Sequence, residues 1–189
     1  FNAIAADAAR CLGDLLDDDT WRRRAGDLAD TLDARAWDAD QGLWWDVPVV
    51  GGGESCRTPT VDGVLPALCT ANREHASTAL DQLIDPARFH APFGPRFLPK
   101  DHPWYRPRRY WRGPAWPPIN FYLWLAALRQ GRRELARDLA ERTKAAVLRA
   151  RFSEYWDPET GRGLGARPQT WSAVAVALGA AFTAESPGG

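Results

Sequence analysis

The chain has 189 residues, 45% hydrophobic and 25% charged, which suits a globular protein with a sizeable core and excludes a disordered chain. Twenty-four basic residues balance twenty-four acidic ones, so charge gives no support to nucleic-acid or membrane-surface binding, and no apolar run is long enough to span a membrane. Cys11, Cys56 and Cys69 are odd in number and lack metal-type spacing, and His75, His90 and His102 are scattered, which points to free thiols, a reducing cytoplasmic setting, and no metal or cofactor.

Apolar positions recur with helical spacing in seven segments. The first is Ala3 to Leu16, with Ile4, Ala8, Cys11, Leu12 and Leu15 on one face. Asp19 or Thr20 is placed to cap the second, which runs to about Trp37. The third covers Thr60 to Leu68, and the fourth runs from Arg73 to Ile84, ended by Asp85-Pro86. The fifth starts at Trp116-Pro117-Pro118 and reaches Arg129, since proline suits a first helical turn. Arg132 to Arg149 and Thr170 to Phe182 complete the set. The segment Gly42 to Gly53 reads as a small β-hairpin.

The links alternate in length. Short ones join helices one to two, three to four and five to six, which makes antiparallel hairpins. Long ones cover Asp38 to Pro59, Asp85 to Ala115 and Arg151 to Gln169. In an up-down array these three emerge on one face. Helices one, three, five and seven are poorer in charge than two, four and six, as an inner and an outer ring would require. The fold class is all-α, helical hairpins around an axis. Residues 1–182 form the domain and 183–189 a flexible tail.

Ten tryptophans are unusual, and half of them lie in those long loops. Tyr110-Trp111-Arg112-Gly113-Pro114-Ala115-Trp116-Pro117-Pro118-Ile119-Asn120 is the densest cluster. Phe152 to Pro158 and Gln169-Thr170-Trp171-Ser172 follow. Aromatic faces cover the C–H side of a sugar ring, while Arg, Asn, Gln and carboxylates reach its hydroxyls. Trp111, Trp116 and Trp171 are candidate pocket walls, Arg112, Asn120 and Gln169 candidate sugar-binding groups, and Trp124 a core residue. Asn120, one turn below Trp116, is expected along the pocket axis.

Glu154, set among Phe152, Tyr155 and Trp156, is the leading catalytic candidate, because glycoside hydrolysis uses paired carboxyl groups. Asp46 and Asp62 are weaker candidates for the second, and Asp157 reads as the tie of an Asp-Pro-Glu-Thr-Gly turn. The Arg106-Pro107-Arg108-Arg109 run reads as solvated surface, with attraction of an anionic substrate as the lesser option. A non-catalytic carbohydrate-binding module and a helical scaffold with structural tryptophans are the competing readings.

The Tyr110–Asn120 motif, with Glu154-Tyr155-Trp156-Asp157-Pro158-Glu159-Thr160-Gly161-Arg162-Gly163-Leu164-Gly165 and Gln169-Thr170-Trp171-Ser172-Ala173, resembles glycoside hydrolase family 63 and the mannosylglycerate and glucosylglycerate hydrolases. Family 37 trehalases look similar at lower resemblance. The resemblance implies part of an (α/α)6 toroid, an inverting mechanism on an α-glucoside or related sugar, and no obligatory metal. It also implies Glu154 as general base, with Trp111, Arg112, Trp116, Asn120, Gln169 and Trp171 lining the sugar subsite. The family's general acid is an Asp in the earlier half, and no matching motif occurs here. The chain therefore resembles the C-terminal half of a catalytic domain, inactive by itself, whose partner is the N-terminal half of the same polypeptide.

Overall fold

A computed structural model describes residues 1–48 and 53–183, and the chain divides into two units, Phe1–Asp81 and Gln82–Gly189. Among the described residues no helix is long and apolar enough to cross a membrane. Part of the expected 42–53 hairpin and of the expected tail lies outside the described residues.

The first unit begins with an antiparallel pair, α1 (Asn2–Leu16) and α2 (Asp19–Ala36). Asp17 turns left-handed at φ 50 to end α1, and the cap of α2 is Asp18, one residue before the expected position, accepting from the Thr20 N–H at 2.7 Å. The buried face of α1 is Ala3, Ala6, Asp7 and Gly13, while Ala8, Cys11 and Leu15 are exposed. This corrects the expected stripe. The contact face is made of small residues because the helices approach closely: a Cβ on Gly13 would stand 2.9 Å from the Arg22 main-chain nitrogen.

Leu43–Trp44 (β2) pairs back with Trp37–Asp38 (β1), and Asp46 forms an antiparallel bridge with Cys56. The expected third helix is a 3-10 helix, Val61–Leu68, because Pro66 inside it has no N–H for an i to i−4 bond. α3 (Arg73–Asp81) ends three residues early, and Asn72 accepts from Glu74 and His75 N–H at 3.1 Å to start it.

The second unit opens with a long irregular run to Ala115. Then come α4 (Pro117–Arg129), with proline in its first turn, and α5 (Arg133–Arg149), joined at Gly131. A two-stranded ribbon follows, β3 (Tyr155–Trp156) against β4 (Gly163–Leu164). The last expected helix starts as a 3-10 turn, Thr170–Ala173, before α6 (Val174–Thr183). α4, α5 and α6 pack on one another. Trp156 is fully buried against Ala115, Ala146, Val147 and Ala150 and donates its indole N–H to the Phe93 carbonyl at 2.5 Å. Trp124 is buried, as its depth in the helical pattern implied.

Candidate active site

Two of the long connectors meet in the second unit. Ala115 and Trp156 exchange main-chain hydrogen bonds of 2.9 and 3.2 Å, and Phe93 N–H donates to the Pro158 carbonyl at 3.0 Å. That junction sets the residue after Ala115 beside the residue before Trp156. Trp116 and Tyr155 stack with centroids 4.4 Å apart, and Trp111 stacks on Trp116 at 4.2 Å. Tyr110 stands edge-on to all three at 4.9 to 5.4 Å, and Trp171 lies edge-on to Trp116 at 6.1 Å. Trp116 is 2% exposed, whereas Trp111, Tyr110 and Trp171 are 45%, 52% and 39% exposed. The result is an aromatic wall with a buried centre and a solvent-facing rim.

Backbone strain gathers on the same connectors. Trp111, Arg151 and Phe152 hold φ of 53, 55 and 57, a region that side chains with a Cβ seldom occupy. The Trp111 turn is clasped by Arg106 N–H donating to the Arg112 carbonyl at 2.8 Å.

Among the described residues, Glu154 is fixed by hydrogen bonds to its neighbours rather than by an ion pair. Its N–H donates to the Ala166 carbonyl at 2.8 Å, and its Oε2 accepts from the Ala166 N–H at 3.0 Å. Its carbonyl accepts from the Trp171 indole at 2.8 Å. Gly165, at φ +71, leaves room for this arrangement: a Cβ there would overlap the Glu154 side chain and come within 2.7 Å of Tyr155 Cε1. Burial, then the Glu154 charge, pushes the Tyr155 phenol up from its ordinary value.

Arg112 is exposed, and its guanidinium makes no hydrogen bond or ion pair among the described residues. Gln169 is half-buried and caps the 3-10 turn through Oε1, which accepts from Thr170 N–H at 2.9 Å. Asn120 does not point along a pocket axis. It is 1% exposed and donates Nδ2 to Thr143 Oγ1 at 3.0 Å, tying α4 to α5. An i to i+4 spacing put it below Trp116, and that side of α4 is turned inward. Asp157 ties its turn as expected, accepting from Glu159 and Thr160 N–H at 2.9 and 3.3 Å.

Asp46 and Asp62 belong to the first unit. Asp46 bridges Cys56 through its backbone. Asp62 Oδ1 is enclosed without a hydrogen-bond partner, and burial, aided by nearby Asp46, pushes its carboxyl up to about 6 against the opposing pull of the N-terminal charge.

Sequence reasoning missed a clamp. Arg96, 4% exposed, pairs with Glu159 at 2.5 and 3.2 Å, and Tyr105 donates to Glu159 at 2.7 Å. Arg96 also donates to the His90 carbonyl. The clamp holds the 85–115 connector to the ribbon turn next to Glu154. One signal was present: an arginine inside Phe93-Gly94-Pro95-Arg96-Phe97-Leu98 demands a carboxylate if that run is buried. Among the described residues no cluster of His, Cys, Asp and Glu could hold a metal.

Residues 2–172 match the model of the mannosylglycerate hydrolase MGH1-like glycoside hydrolase domain. The chain belongs to that family. A glucosylglycerate hydrolase from Mycolicibacterium hassiacum is 34% identical over 124 residues, 63% of this chain and 28% of that protein. A mannosylglycerate hydrolase from Thermus thermophilus is 32% identical over 187 residues, 92% of this chain and 43% of that protein. The crystal structure of a family 63 mannosylglycerate hydrolase from Thermus thermophilus in complex with glucose superposes with a TM-score of 0.82 at 31% identity. The match covers 94% of this chain and 43% of that one. The fold class is thus all-α, hairpins that form part of an (α/α)6 toroid. The chain spans less than half the length of the relatives it matches.

Proposed function

We propose that this chain supplies the base-bearing part of an inverting α-glycoside hydrolase acting on an α-glucoside or a related sugar, glucosylglycerate and mannosylglycerate among them. The observation that supports the reading is the stack of Trp116 on Tyr155, the residue next to Glu154, in a wall with a solvent-facing aromatic rim. In this reading Trp111 and Trp171 cover the apolar face of the sugar. The Arg112 guanidinium, with no hydrogen bond or ion pair of its own among the described residues, binds hydroxyls or a substrate carboxylate. Trp116 backs the wall from within, Asn120 stiffens the helix pair behind it, and Gln169 holds the turn that presents Trp171.

Glu154 takes the proton from a water on the face of the sugar opposite the leaving group, and the water oxygen attacks the anomeric carbon. A carboxylic acid outside this chain protonates the leaving oxygen, so the chain by itself gives no turnover. Three free cysteines support a reducing, cytoplasmic setting.

The test is Glu154→Gln in the full polypeptide that carries this chain, with turnover, sugar binding and the anomeric product followed by NMR. Loss of turnover with binding retained, and inverted product from the parent, is the expected result. Unchanged turnover removes Glu154 as the base. Retained configuration removes the inverting mechanism. Sugar binding with no turnover even in the parent polypeptide favours a non-catalytic sugar-binding module.

A further inference from the structure

The Asp157–Gly163 turn carries a second feature, apart from the aromatic wall. An open cleft of about 720 Å³ is lined by Arg108, Arg149, Arg162 and Arg167, with Asp157 and Thr160 among its walls. Its volume lies within the range of small-molecule sites, about 300–1,000 Å³. Trp111, Trp116, Glu154, Tyr155 and Trp171 do not line it.

Four arginines share this lining with a single aspartate, and its carboxylate is already engaged. Asp157 is buried, its Oδ1 accepts two main-chain N–H groups, and Arg108 approaches its Oδ2 only to 4.0 Å. Arg149 is held in place by its own contacts. Its Nε donates to the Thr160 carbonyl at 2.7 Å, and its guanidinium lies 5.4 Å from the Phe93 ring centroid. The side chains of Arg162 and Arg167 are exposed and make no hydrogen bond or ion pair among the described residues. Like charges collected around one cavity repel one another unless an anion sits between them.

A single carboxylate matches one arginine fork. Tetrahedral phosphoryl groups, with three oxygens and a charge near −2, accept forks from several directions at once. We propose that this cleft binds a small phosphorylated ligand, with Arg149 as the fixed wall and Arg108, Arg162 and Arg167 closing on the phosphoryl oxygens. The site is separate from the sugar site and stands whether or not Glu154 is a catalytic base.

The test is calorimetric titration of the 189-residue protein with inorganic pyrophosphate at low and moderate salt. Saturable binding that weakens as salt rises is expected, together with a loss of about tenfold or more in Arg162→Gln/Arg167→Gln. Both side chains are exposed, so the double variant should keep the parent's melting temperature. If it does not, the single variant Arg162→Gln is read in the same way. Absence of saturable binding, or binding that the substitutions leave unchanged, overturns the proposal.

Discussion

The indole N–H of Trp171 donates to the main-chain carbonyl of Glu154 at 2.8 Å, across 17 residues of sequence. This bond ties the start of the last helix to the residue proposed as base. Together with the Glu154 N–H bond to the Ala166 carbonyl it fixes the Glu154 backbone on both sides, and the Ala166 N–H holds the carboxylate through Oε2. Trp171→Phe keeps an aromatic ring and removes only the donor. In the full polypeptide kcat should fall about tenfold while the melting temperature changes little, since the carbonyl lies near solvent and water can replace the indole. Rates equal to the parent's would show that the bond does not position Glu154.

Trp111 and Trp116 stack on each other yet should answer differently to truncation. Trp111→Ala removes a ring that is 45% exposed, so sugar affinity should drop about tenfold with a small change in stability. Trp116→Ala empties a position only 2% exposed and should cost about 3–5 kcal/mol in denaturant unfolding. Sugar titration by tryptophan fluorescence checks the first. Unaltered affinity in Trp111→Ala would take that ring out of the sugar wall.

The helices and the aromatic loops could be read from the sequence because their signals are local. Period, proline at a first turn and loop length fixed α4 and α5 to within a residue. Signals that depend on partners were not legible. The α1 stripe of Ile4, Cys11 and Leu15 has helical spacing, but the face packed on α2 is the Ala/Gly one, chosen by how closely the helices approach. Asn120 had the right spacing for a pocket, and only the Thr143 hydroxyl, 23 residues away, shows why it turns inward. At the candidate site, the loop tryptophans stood out by composition, and Trp111, Trp116 and Trp171 come together in the fold. The Arg96–Glu159–Tyr105 clamp spans more than 50 residues and left only an arginine in an apolar run.

That clamp should matter for stability. Glu159→Gln leaves the Arg96 guanidinium, whose side chain is 5% exposed, without its counter-charge, at a cost of about 3–5 kcal/mol. Burial raises the Glu159 proton affinity, but hydrogen bonds from Arg96 and Tyr105 outweigh it and hold the carboxyl below its usual range. A depressed folded value means the contribution is full above the ordinary glutamate range, about 4.3, and is lost as pH falls through the lower folded value. The variant should lack that acid limb in unfolding curves taken from pH 7 down to pH 3. An identical limb in parent and variant would assign acid unfolding to other carboxylates.

Asp62 has the opposite sign. Its folded value is raised from 3.8 to about 6, so the folded state holds the proton more tightly than the unfolded chain. Stability from this group is therefore present below about pH 4, declines as pH rises through 6, and stays low above it. A shift of about two units corresponds to about 3 kcal/mol at most. Asp62→Asn is close in size, never ionises and removes that loss. It should gain about 2–3 kcal/mol at pH 7.5 and almost nothing at pH 4, where the parent carboxyl is already largely protonated in the folded state. Urea unfolding of parent and variant at the two pH values decides it. A difference that does not change with pH would mean the gain comes from packing, and the enclosed Oδ1 would then not be the site of a suppressed charge.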